Sequence, residues 1–82
     1  MIFQVQIKVM PLKELLDPQG KAVQNGLNNL GLNNVNDVRV GKHITLQIEA
    51  ANEQAAIAVA DEAGKKLLAN PVMEYFEIEL VN

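Results

Sequence analysis

The sequence predicts an α+β fold: three strands and two helices in the order βαβαβ, with a long bent middle strand. The expected sheet is antiparallel or mixed and covered by two helices on one face. Three observations carry this expectation. Apolar residues alternate at both ends of the chain, the middle segment keeps a single apolar parity through a glycine, and two helical stretches with start and stop signals separate these runs. Phe3, Val5, Ile7 and Val9 share one face of the first strand while Gln4, Gln6 and Lys8 share the other, and Pro11 closes it. Leu12 to Leu16 form a connector.

Asp17-Pro18 starts the first helix. The aspartate can accept from free amides of the first turn, and proline in the first helical position lacks an N–H that would be orphaned there anyway. Val23, Leu27 and Leu30 recur at helical spacing; Gly31 then supplies a left-handed residue, and Leu32 can fold back on Leu27 in a Schellman motif. From Val35 to Ile48 the apolar residues Val38, Val40, Ile44, Leu46 and Ile48 are all even-numbered. A two-residue hairpin at Gly41-Lys42 would turn His43, Thr45 and Gln47 onto the core face. The segment is therefore one strand bent at Gly41, or a hairpin with the three-residue loop Gly41-Lys42-His43. The position of the glycine, first in that loop, favours the single strand.

Asn52 caps the second helix with Glu53 near its positive end. Its apolar stripe is Ala56, Ala60, Ala63 and Leu67, flanked by Ile57, Gly64 and Leu68. Asp61 with Lys65 and Glu62 with Lys66 form acid-before-base pairs on the solvent side. Asn70-Pro71 ends the helix, and Phe76, Ile78 and Leu80 alternate with Tyr75, Glu77 and Glu79 in the last strand. A hairpin in the middle would make this a ferredoxin-like sandwich; an open strand makes it a relative whose two halves serve different sheet regions. Unpaired edges, protected by little beyond Lys8 and the glutamates of the last strand, then predict a dimer or tetramer.

Composition narrows the function. With 82 residues the chain is one domain (residues 1–82), 49% hydrophobic and 21% charged, so it is globular with a small core. It has no cysteine, no serine, one threonine (Thr45) and one histidine (His43), which leaves no disulfide framework, no thiolate zinc site and no nucleophile with a base and an orienting group. A net charge of −3 and 4% aromatic residues argue against a nucleic-acid surface. No apolar run reaches membrane-spanning length and the N-terminus alternates, so a cytoplasmic protein is expected. The Asp17-Pro18-Gln19-Gly20-Lys21 start lacks P-loop spacing, and Asp17 would repel an anion. Arg39 and Lys42 flank the bend and suit carboxylates on a partner protein.

The runs LLDPQGKAVQNGL, VNDVRVGK and KKLLANPVMEYFEIEL, in this order and at these separations, resemble the PurS subunits of phosphoribosylformylglycinamidine synthase over nearly the whole chain. Met10-Pro11 and the asparagine-rich connectors around Asn28, Asn29, Asn33, Asn34 and Asn36 depart from the resemblance without touching these motifs. It implies a non-catalytic subunit of a glutamine-dependent, ATP-driven ligase of purine biosynthesis. In such systems a large synthetase subunit binds ATP, with magnesium, and formylglycinamide ribonucleotide, a glutaminase subunit releases ammonia, and the small subunit joins them as a dimer. No cofactor, metal or catalytic residue is then expected on this chain. Its partner-contact candidates are Arg39, Lys42, Asp17, Gln19 and Asn70. The competing expectation is a stand-alone regulatory domain of ferredoxin-like type that binds a small ligand at a dimer interface.

Overall fold

A computed structural model describes residues 1–81. The order is β1 (Ile2–Pro11), α1 (Pro18–Asn29), β2 (Lys42–Glu49), α2 (Glu53–Ala63) and β3 (Glu74–Leu80). The strands form one antiparallel sheet in the order β2-β1-β3. β1 is central, which is why its alternation is the strictest: Phe3, Val5, Ile7 and Val9 are all buried. Its neighbours match it residue for residue. Ile7 lies between Ile44 and Ile78, and Val5 between Leu46 and Leu80, so three strands present one continuous apolar face. Pro11 sits at the last position of β1, where its missing N–H interrupts no interior ladder.

Only α2 packs on that face. It touches all three strands and buries Ala56 and Ala60, whereas α1 has no substantial packing on any strand and buries Gly20 alone. This differs, within the single chain, from the expected pair of covering helices: α2 lies over the central strand, and Ile44, Leu46, Ile78 and Leu80 on the outer strands stay half-buried. The helix α1 stands off instead, and the described residues extend 51 × 25 × 14 Å. Both helix starts form as the sequence indicates, with Asp17 accepting from the Gly20 amide at 3.1 Å and Asn52 from that of Ala55 at 2.8 Å. The end of α1 is a full Schellman motif. Gly31 has φ 89°, its N–H donates to Asn28 O, and the Leu32 N–H donates to Leu27 O, both at 3.0 Å.

Two local expectations change. The middle strand, expected from Val35 to Ile48, is regular only over Lys42–Glu49. Among the described residues no strand lies beside 35–41, so this segment carries no ladder and forms no hairpin with β2; Val38, Arg39 and Val40 are all half-buried, so the expected alternation of faces does not extend through it. The second change is at the end of α2, which runs into a π-helical turn over Gly64–Leu68, closed by the Ala69 N–H donating to Gly64 O at 3.0 Å. The wider turn shifts the inward face by one residue. Leu67, expected in the stripe, is 83% exposed, while Gly64 and Ala69 are buried and Leu68 packs on the core. Gly64 lies under the Phe76 ring, where a Cβ would come within 2.6 Å of the ring edge. The ion pairs Asp61–Lys65 (2.9 Å) and Glu62–Lys66 (2.6 Å) line the solvent side of α2.

Candidate functional site

The segment 12–41 leaves the sheet at the end of β1 and returns at the start of β2, carrying α1 between. It forms an arm. Where the arm meets the sheet Leu12, Leu15, Val38 and Val40 are half-buried, and polar side chains bond to backbone across the joint.

Asp17 is the centre of this joint. As the N-cap of α1 it is held in extended conformation by Pro18, which lets one carboxylate oxygen accept from Gly20 and turns the other toward the returning segment, where it accepts from the Val40 amide at 2.9 Å. One carboxylate thus ties the outgoing helix to the incoming chain. The arrangement also needs Gly20: its Cα lies so close to the Val38 carbonyl oxygen that a Cβ would overlap it. Arg39 completes the joint from the other side. Its guanidinium donates to the carbonyl of Leu15 at 2.9 Å, to that of Leu12 at 3.3 Å and to that of Lys13, and lies 3.8 Å from the Asp37 carboxylate. The planar fork of arginine suits several acceptors at once, and lysine would not reproduce it. Further out, Gln24 Nε2 donates to the carbonyls of Val35 (3.2 Å) and Asn36 (3.1 Å), joining α1 to the returning segment of the arm.

The Val40 and Gly20 amides, with a smaller contribution from Arg39, hold the Asp17 carboxyl below the ordinary aspartate value of 3.8. A depressed folded-state pKa contributes stability that is complete above the unfolded value and is lost as pH falls through the folded one. Acid titration of the joint is therefore expected below pH 3.8. Followed by amide exchange of α1, the wild type should loosen in that range, while Asp17→Asn should be looser at neutral pH and show no such step.

Of the five residues singled out from the sequence, Asp17, Gln19 and Asn70 border one cleft of about 280 Å³, between the start of α1, the end of β1 and the turn into β3, with Leu15, Leu16, Met73 and Glu74. Asn70 organises that turn. Its side chain accepts from the Val72 amide at 3.1 Å, its carbonyl from Glu74 at 2.7 Å, and its own amide donates to the Glu74 carboxylate at 2.8 Å. Gln19 is exposed on the first turn of α1. Arg39 lies in a second hollow, of about 230 Å³, on the other side of Asp17. Lys42 is exposed at the first position of β2, outside both. Sequence reasoning missed Gln24 and Glu74, whose acceptors and donors are main-chain groups with no sequence signature. Among the described residues no cluster of three metal-ligating side chains occurs, and no helix is long and apolar enough to cross a membrane.

Comparison with known proteins gives a consistent result. Residues 4–82 match the family described as PurS, phosphoribosylformylglycinamidine (FGAM) synthase. Two similar relatives are the phosphoribosylformylglycinamidine synthase subunits PurS of Bacillus subtilis, 39% identical over 96% of this chain and 93% of its own length, and of Methanocaldococcus jannaschii, 37% identical over 96% and 95%. Among solved structures, Bacillus subtilis PurS superposes with a TM-score of 0.86 at 39% identity over 98% of this chain and 99% of its own. A chain of the PurLQS structure from Thermotoga maritima gives 0.90 at 31% identity, over 99% of both. This chain belongs to the PurS family of phosphoribosylformylglycinamidine synthase.

Proposed function

We infer that this chain is the small, non-catalytic subunit of phosphoribosylformylglycinamidine synthase, acting in the cytoplasm in purine biosynthesis. The observation that carries this is the full-length likeness to a chain of a PurLQS structure. The composition supports it, because one histidine and one threonine without cysteine or serine leave no nucleophile with its activating partners. The same likeness disfavours a stand-alone regulatory domain.

In this reading the chain bridges the ATP-dependent synthetase and the glutaminase, and ATP and magnesium belong to the synthetase. Ammonia released from glutamine reaches formylglycinamide ribonucleotide without equilibrating with water, so the gain is one of proximity and needs no acid or base from this chain. Self-association as a dimer or tetramer accompanies the bridging role. It is supported by the ladder-free segment 35–41 and by the outer edges of β2 and β3, which have no strand beside them among the described residues.

Reconstitution tests the reading. Added to synthetase and glutaminase from the same source, the chain should sharply raise glutamine-dependent formation of formylglycinamidine ribonucleotide. No change at saturating chain would reject it.

A further inference from the structure

We propose that Asn25 is a site of spontaneous covalent modification: its side-chain amide is lost to attack by the main-chain nitrogen of Gly26, at a rate set by local opening of α1. This concerns the chain's own chemistry in water and stands apart from the subunit reading.

The reaction needs only the pair and water. The Gly26 nitrogen bonds to Asn25 Cγ, the bond from Cγ to the side-chain nitrogen breaks, and that nitrogen leaves as ammonia with the proton given up by the attacking N–H. The product is a succinimide ring. Water then opens the ring at either carbonyl, giving aspartate or, where the main chain runs on through the β-carbon, isoaspartate. A side chain on the following residue hinders the approach and narrows its backbone choices; glycine has none. Among the asparagines of the chain Asn25 alone precedes glycine, whereas Asn70 precedes Pro71, whose nitrogen has no proton to give up.

The fold decides access to the pair. The helix α1 turns Gly20, Gln24 and Leu27 toward the returning segment: Gly20 is buried against Val38, Gln24 bonds to Val35 and Asn36, and Leu27 is half-buried. Asn25 lies off that face. Both it and Gly26 are exposed, and nothing stands within 4 Å of the place a Gly26 Cβ would occupy. Water therefore reaches the pair, and what protects it is the helix itself. Inside α1 the Gly26 N–H is committed to the carbonyl four residues back, and the helical main chain keeps its nitrogen out of line with Asn25 Cγ. Ring closure has to wait for the turn to open. A helix of 12 residues is marginal by its own propensity, and Gly26 weakens it further at its exposed side. Conversion to aspartate adds one negative charge to the net −3. Isoaspartate also lengthens the main chain by one carbon, which puts the hydrogen-bond ladder of α1 out of step.

Mass spectrometry with peptide mapping, on the full chain held at neutral pH and sampled beside amide exchange of α1, tests this. The expected product is a gain of about 1 Da, as NH2 becomes OH, mapped to Asn25 and found in both aspartyl and isoaspartyl forms. In guanidinium chloride the rate should rise by the factor that protects the α1 amides from exchange in the folded chain. Asp17→Ala removes the cap of α1 and leaves the reacting pair untouched; it should speed modification of the folded chain about five-fold and leave the rate in denaturant unchanged. Gly26→Ala should slow the reaction strongly in both conditions, because the new Cβ stands in the way of attack. Conversion of Asn28, Asn29 or Asn33 ahead of Asn25 would overturn the site. Equal rates in folded and denatured chain, or a folded-state rate unmoved by Asp17→Ala while α1 exchange quickens, would overturn control by the helix.

Discussion

Ile7→Ala should lower the free energy of unfolding by about 2–5 kcal/mol. Ile7 is fully buried at the centre of the central strand, with Ile44 and Ile78 beside it in register and α2 above. Truncation removes apolar contacts from three strands at once, and a sheet this narrow cannot close over the cavity. A domain of 82 residues has roughly 4–12 kcal/mol in total, so the loss is a large fraction of the whole. Urea denaturation should show a lower midpoint with an unchanged slope. A loss under about 1 kcal/mol would mean that the core is not centred on β1.

Two glycines of α1 should respond to the same substitution with opposite signs. Helix propensity alone favours alanine over glycine by about 1 kcal/mol at either position. At Gly26 nothing lies within 4 Å of the added Cβ, so Gly26→Ala should stabilise α1 by up to that amount. At Gly20 the Cβ would overlap the Val38 carbonyl oxygen and lie 2.8 Å from the Asp17 carboxylate. Main chain cannot swing aside as a flexible side chain can. Gly20→Ala should therefore destabilise by about 1–3 kcal/mol in spite of the propensity gain, with faster exchange of the α1 amides as its local signature. Equal behaviour of the two variants would contradict the close approach of α1 to the returning segment at Val38.

Much of this architecture was legible in the residues because it depends on local signals. The alternation of Phe3, Val5, Ile7 and Val9 requires a strand with one buried face, and all four are buried. Asp17 before Pro18, Asn52 before Glu53 and Gly31 after Leu30 are caps whose geometry is decided within a few residues, and each forms as expected. What the sequence could not reveal depends on non-local space. The helical spacing of Val23, Leu27 and Leu30 indicates a helix with an apolar side, yet says nothing about which surface that side meets. The π-helical turn arises where Gly64 meets Phe76, residues twelve apart in the chain, so the exchange of Leu67 for Leu68 on the inner face carries no local mark. Arg39 reads as a surface cation because its acceptors are carbonyls, which every residue possesses.

As the proposed subunit, this chain supports nitrogen transfer between two other subunits without taking part in the chemistry. The most direct measurement compares glutamine with free ammonia as nitrogen donor in the reconstituted system, with and without the chain. A bridging subunit should be required for glutamine-dependent synthesis and nearly dispensable when ammonia is supplied in excess. Equal dependence of both reactions on the chain, with the synthetase intact, would place its contribution in the synthesis step itself and contradict the account.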